Sequence, residues 1–243
     1  MTNPTDKVVI VIGDIHGAWN DVNKIMEKEP ADLYISTGDV CDNNYQYATL
    51  NHPLWSLFGN HEDFDVVRAY YTNAIKIGNL NFIFPGKTHE INDIKFGGLS
   101  GNFSPKYFSY LRKDLPFPKN KNDRNGKADH RRHFVQEEVE LCKEKLHGLD
   151  ILLTHESPSF YEKHMRFPDH GSGGIIDDLV KTVKPKLHLW GHHHKYYTDY
   201  IDNVMSIGMP YPRVAYLKIN LTEKKLYLIN TENGEVKDEK SMY

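Results

Sequence analysis

The chain has 243 residues, 39% of them hydrophobic and 12% aromatic, and a formal net charge of −3. That composition excludes an intrinsically disordered chain, and the small net charge points to no class of partner. No stretch reaches the ~20 apolar residues of a membrane span.

The opening "MTNPTDKVVIVIGD" has no basic n-region and its apolar run is short, so it does not read as a signal peptide. Cys41 and Cys142 make no disulfide framework. A cytoplasmic, reducing location is therefore expected. Within the opening, "KVVIVIG" (7–13) is a β-branched run ending in glycine and predicts a buried strand. "AWNDVNKIMEKE" (18–29) spaces Trp19, Val22, Ile25 and Met26 as a helix and stops at Pro30. "DLYIST" (32–37) and "LWSLF" (54–58) predict further strands. "NLNFIF", "HEIN" and "IKFGGLSG" predict short strands joined by turns. Residues 130–147 carry Phe134, Val139, Cys142 and Leu146 at amphipathic spacing and predict one helix. "DILLTHESP" predicts a strand into a polar loop, "GIIDDLVKTVKP" a helix closed by Pro185, and "KLHLW" (186–190) a strand. Beyond 196, "RVAYLKI" and "KKLYLI" predict an antiparallel finish. No repeat or linker divides the chain, so one domain spanning 1–243 is expected.

The strand ends share a pattern: "GDIHG" (13–17), "GDVCD" (38–42), "GNHED" (59–63), "THESP" (154–158) and "GHHH" (191–194). Each places Asp, Asn or His just beyond an apolar strand, where an α/β sheet collects its sites. Singly, each could be a capping aspartate, an Asx-turn or a core histidine. Together they converge carboxylates and imidazoles without balancing lysines, an arrangement that calls for a cation. The mixed oxygen and nitrogen donors suit borderline or hard divalent metals.

D-x-H, G-D-x-x-D, G-N-H-E, a lone His after a strand and G-H-x-H, in that order, resemble the calcineurin-like metallophosphoesterases over about residues 8–195. The resemblance implies an α/β fold, a four-layer α/β/β/α sandwich of two mixed β-sheets flanked by helices. It also implies two divalent metals: Mn2+ first, with Fe, Zn, Ni or Mg as alternatives. It assigns Asp14, His16 and His194 to one metal, Asn60, His155 and His192 to the other, and Asp39 as the bridge. Two residues apart, His192 and His194 can both face the site if their segment is extended, leaving His193 pointing elsewhere. Two such ions about 3.5–4 Å apart lower the pKa of a shared water and stabilise attacking and leaving oxygens at phosphorus. By the same resemblance His61 protonates the leaving oxygen while Asp42 orients its ring. Glu62 is assigned a structural part.

The Ser/Thr protein phosphatases continue their second motif as G-D-x-V-D-R-G, whereas this chain reads "GDVCDNNYQ", as phosphodiesterase branches do. The function expected is therefore hydrolysis of a nucleotide or RNA phosphodiester. A phosphomonoesterase or nucleotide pyrophosphatase would use the same metals; a non-catalytic scaffold would be expected to have lost ligands. Residues 102–133 form an insert with nine Lys or Arg against three Asp, interleaved with Phe103, Tyr107, Phe108, Tyr110 and Phe117. That suits single-stranded nucleic acid, with Lys119, Lys121 and Arg124 as candidate contacts, and it equally suits a solvated loop. The layout "FGGLSGNFS", insert, helix, "LLTHESP" is also similar to RNA lariat debranching enzymes, although Asp14 stands where those commonly carry Cys.

Overall fold

The computed structural model describes residues 6–120, 128–166 and 171–242. The first strand, β1 (Val8–Ile12), sends Val9 and Val11 to one face and Ile10 and Ile12 to the other, and all four are buried. A β-branched run buried on both faces belongs in the middle of a layered sheet. It pairs in parallel with β2 (Leu33–Ser36), and the parallel run continues through β3 (Leu54–Ser56) and β4 (Leu80–Phe82). On its other side β11 (Ala215–Asn220), β12 (Lys225–Asn230) and β13 (Val236–Ser241) add antiparallel strands. The seven strands run in the order β13–β12–β11–β1–β2–β3–β4.

The second sheet has six strands. At its centre β6 (Ile94–Leu99), β7 (Ile151–Thr154), β8 (Leu187–Trp190) and β10 (Val204–Gly208) are mutually parallel. The edges, β5 (His89–Ile91) and β9 (Tyr197–Ile201), are antiparallel. The antiparallel finish expected beyond 196 holds for the β9–β10 pair and for β11–β13, while β10 also pairs in parallel with β8.

The layers follow from where apolar residues alternate. Val9, Val11, Leu33, Ile35 and Leu57 of the first sheet face Phe96, Ile151, Leu153, Leu187, Leu189 and Ile207 of the second, forming the sandwich core. Ile10, Ile12, Tyr34 and Phe82 face outward onto α1 (Trp19–Lys28) and α2 (Phe64–Tyr71). Leu99 and Leu152 face outward onto α3 (Gln136–Lys145) and α5 (Ser172–Val183). This is the four-layer α/β/β/α sandwich.

Three helical details differ from the expectation. The helix expected over 130–147 begins at Gln136; His130–Arg132 form a separate 3-10 turn. Asp129 caps that turn at the Arg131 N–H, and Phe134 N–H donates to the Asn102 carbonyl at 3.1 Å, which pulls the chain out of helical geometry. The second helix, α2, was not anticipated, although Asp63 caps it by accepting from the N–H groups of Asp65 and Val66. Neither was α4 (Ser159–Met165), whose seven residues are too few for a clear periodicity.

Candidate metal centre

Four parallel strands and the segment after β3 deliver their following residues to one edge. Asp14 and Asp39 are essentially inaccessible, at 0% and 1% exposure, and no Lys or Arg among the described residues forms an ion pair with either. Thr37 Oγ1 and His192 N–H donate to the two oxygens of Asp14 at 2.8 and 2.6 Å. His61 N–H donates to Asp39 Oδ1 at 2.7 Å. Asp14, His16, Asp39 and His194 bring one donor atom each within 4.8 Å of one another.

His155 is fully buried beside them. Its Nδ1 donates to the Thr37 carbonyl at 3.0 Å, which leaves Nε2 as the free lone pair. That Nε2 lies 3.0 Å from Asn60 Oδ1 and 3.6 Å from Asp39 Oδ2. Burial alone would keep His155 neutral, but the Asp39 and Asp14 carboxylates raise its pKa. Asp14 shows the reverse balance: burial opposes its charge, yet His155, His194 and Thr37 lower its pKa. So many acceptors and lone pairs directed at one another fit divalent cations held among them.

Glycines make room for this convergence. A Cβ on Gly59 would lie 2.0 Å from Asp39 Oδ1, and one on Gly191 would lie 2.2 Å from Asp14 Oδ1. The glycines of "GNHE" and "GHHH" are thus required by close approach of carboxylates.

The expectation that 192–194 is extended is corrected. The strand β8 stops at Trp190, and His192 and His194 both adopt left-handed backbone, at φ 68° and 56°. His16 and Asp39 do so as well, at φ 44° and 45°; such residues are held there only when their surroundings demand it. His194 joins Asp14, His16 and Asp39, while His192 packs edge-on to His155 with ring centroids 5.1 Å apart. His193 leaves the Asp14 cluster: its Nε2 is 3.1 Å from Ser157 Oγ and its ring lies against Tyr161. It is not remote, however, because His192, His193 and Glu156 form a second group with donor atoms within 4.8 Å.

His61 is exposed at the rim, its ring edge-on to His16 with centroids 5.4 Å apart. The contact expected between Asp42 and the His61 ring is not formed among the described residues. Asp42 Oδ1 instead accepts from the N–H groups of Asn44 and Gln46, both at 2.8 Å, the local turn that Asp side chains favour. Glu62 is fully buried and ties two loops together, accepting from Val40 N–H at 2.6 Å and Tyr47 Oη–H at 2.7 Å. Burial raises its pKa to about 8.

The sequence reading passed over Glu156, buried beside His192, whose carboxylate also accepts from Phe103 N–H at 2.9 Å. It missed Tyr211, stacked on His194 at 3.9 Å and covered by the Arg213 guanidinium at 4.5 Å. It also missed Arg132, on which the Asp39 charge acts across the site. Tyr211 and Arg132 belong to no strand-end motif and carried no local signal, whereas Glu156 stands in "THESP" directly after His155 and could have been found there. Within the insert, Phe103 and Phe108 pack against the core under α3 and Tyr107 is buried, whereas Tyr110 and Phe117 are exposed. Lys119 is an exposed residue; Lys121 and Arg124 lie outside the described residues.

Two mixed sheets with carboxylates and imidazoles gathered at their parallel strand ends make a candidate divalent-metal centre. The calcineurin-like phosphoesterase family model matches residues 7–196, and the chain belongs to that family. No curated protein matches the chain by sequence. Among solved structures, TT1561 of Thermus thermophilus is similar with a TM-score of 0.62 at 14% identity, covering 94% of this chain and all of that one. GAP50, the anchor in the inner membrane complex of Plasmodium, gives 0.56 at 11% identity, covering 97% of this chain and 88% of that one. A putative 5′-nucleotidase from Staphylococcus aureus gives 0.53 at 10% identity, covering 98% of this chain and 53% of that one. At such identities the likeness is one of fold. No helix among the described residues is long and apolar enough to cross a membrane.

Proposed function

We propose that the chain, acting as one domain, is a dinuclear metal-dependent phosphodiesterase that hydrolyses a nucleotide or RNA phosphodiester. The carrying observation is the cluster of buried Asp14 and Asp39 with half-buried His16 and His194, continued through Asp39 to His155 and Asn60. Asp14, His16 and His194 would hold one divalent ion and Asn60, His155 and His192 the other, with Asp39 shared; Mn2+ suits the donor set. When bound, the pair supplies an activated water and charge stabilisation at phosphorus.

The protein's own groups do the rest. Thr37 and the His192 N–H orient Asp14 through its two oxygens, and the His61 N–H orients Asp39. The His61 side chain, exposed beside His16, donates the proton to the departing oxygen. The continuation "GDVCDNNYQ", without the Arg-Gly of the Ser/Thr phosphatases, supports a diester over a monoester.

Turnover of bis-p-nitrophenyl phosphate against p-nitrophenyl phosphate, each with Mn2+, Ni2+, Zn2+ and Mg2+, tests the reading. Faster turnover of the diester is expected. Faster turnover of the monoester would replace the diester reading with a phosphomonoesterase, and no turnover of either with any metal would overturn hydrolysis of simple esters.

A further inference from the structure

The base of the insert is built rigidly. Arg132 carbonyl accepts from Asn102 N–H at 3.1 Å, and Asn102 and His133 form a bridge just beyond β6. The preceding Arg131 is fully committed: its guanidinium pairs with buried Asp129 at 2.6 Å and with Asp65 of α2 at 2.8 Å. The turn is thereby tied both to the second sheet and to the helix that follows "GNHED".

Arg132, held in this fixed turn, has the opposite character. It is half-buried, no carboxylate among the described residues pairs with it, and its buried Nε has no hydrogen-bond partner. The turn sits against the loops of the cluster: Gly101 N–H donates to the Phe58 carbonyl at 2.8 Å, just before Asn60, and Phe103 N–H to Glu156 at 2.9 Å, next to His155; the Asp39, Tyr45 and Asp129 charges act on the guanidinium from there. Asn102 Oδ1, His130 Nδ1 and His133 Nδ1, all at the same insert base, also lack partners. With Arg132 Nε they make four of the six such buried side-chain atoms among the described residues. Asn102 and His133 are each only 8% exposed. Folded proteins pair buried polar atoms almost without exception, with protein or with water, so their concentration in one place marks a polar surface able to receive a hydrogen-bonding partner.

The sign of that partner follows from charge. If divalent ions were held by Asp39, its charge would no longer balance the half-buried guanidinium, and an anion bound at the cluster would restore that balance. A guanidinium presents a planar fork matched to phosphoryl oxygens.

We propose that Arg132, supplied by the insert, is a substrate-binding residue that grips the non-bridging oxygens of the phosphoryl group at the metal cluster. The cation missing from the "GDVCD" motif is thus delivered from a distant part of the chain. This rests on the phosphoester reading above, and the test separates the two.

The Mn2+-loaded protein is titrated calorimetrically with inorganic phosphate, and kcat and KM are measured on both p-nitrophenyl esters, for wild type, Arg132→Ala and Arg132→Lys. Arg132→Ala is expected to keep its metal content, to bind phosphate about 10–10²-fold more weakly and to lose kcat/KM in similar measure, the worth of a charged hydrogen bond. Arg132→Lys should recover part of both losses, and it carries the comparison if the alanine variant does not fold. Phosphate affinity and kcat/KM within about twofold of wild type in the substituted protein would overturn the inference while leaving hydrolysis intact. Wild type that binds phosphate through Arg132 yet cleaves neither ester would sustain the inference and refute the ester chosen. Wild type that binds no phosphate would overturn it outright.

Discussion

His16 and His194, 178 residues apart in the chain, hold their Nε2 atoms 3.1 Å apart. Each nitrogen also faces a carboxylate oxygen, Asp39 at 3.4 Å and Asp14 at 3.2 Å. One proton between the two rings makes a hydrogen bond, and with both rings deprotonated on these nitrogens the same geometry directs two lone pairs at one point, as a cation site requires.

Asp39 faces both His16 and His155, so Asp39→Asn removes charge that both halves of the cluster use. It should lose bound metal and activity together, with turnover down by at least about 10²-fold, the scale set by loss of metal-assisted catalysis. Metal analysis finding two ions and normal turnover would refute the shared role. His193→Ala should leave metal content and kcat nearly unchanged while lowering stability by about 1 kcal/mol through the lost Ser157 bond and Tyr161 contact. Metal loss in that variant would instead assign His193, with Glu156 and His192, to the second ion.

Proton donation by His61 matters in proportion to the basicity of the leaving oxygen. His61→Ala should retain metal and lose about 10²–10⁴-fold on a ribose or alkyl leaving group, with a much smaller loss on p-nitrophenol. Equal losses on both would show that the His61 ring orients substrate or supports the cluster from its place beside His16.

His188 sits neutral in β8 between Thr154 Oγ1 at 2.9 Å and Ser206 Oγ at 2.8 Å. Burial pushes its pKa down to about 3, from the ordinary 6.5. Its contribution is therefore complete above pH 6.5 and declines as acid protonates the unfolded chain, by about 1.4 kcal/mol per pH unit. Urea titrations from pH 7 to pH 4 should show that slope reduced in His188→Gln. Parallel pH dependences in the two proteins would mean that His188 takes its proton while folded.

If the insert binds a nucleic-acid backbone, each phosphate contact releases counterions and affinity falls steeply with salt. Neutralising Lys119, Lys121 and Arg124 together should weaken RNA binding and flatten its salt slope, with turnover of a small diester unchanged. RNA processing equal to wild type at every salt concentration would leave those residues as solvated loop and return the substrate to small nucleotides.

The sequence by itself carried the strands and the ligand candidates, because both are local. A β-branched run such as "VVIVI" has one stable environment, and five strand ends bearing Asp, Asn or His repeat a single arrangement. The separation of His192 and His194 from His193 was legible too, but for a different reason than the true one: left-handed backbone at φ 68° and 56°, not strand alternation, turns them apart. The helix α2 was written in the Asp63 cap and went unread. Asp42 was read as a partner of His61, yet its own neighbours Asn44 and Gln46 offer N–H groups two and four residues away. A short polar side chain takes the nearest donors.

What only the tertiary structure decided is the company each ligand keeps. Glu156 beside His192 and Arg132 within reach of the Asp39 charge join segments far apart in the chain, and Tyr211 over His194 belongs to no motif. Such contacts depend on how two sheets stack and where an insert returns, and these are set by burial summed over the whole core. No window of sequence holds that sum, so the candidate ligands at the strand ends could be read from the chain while the distant residues packed around them could not.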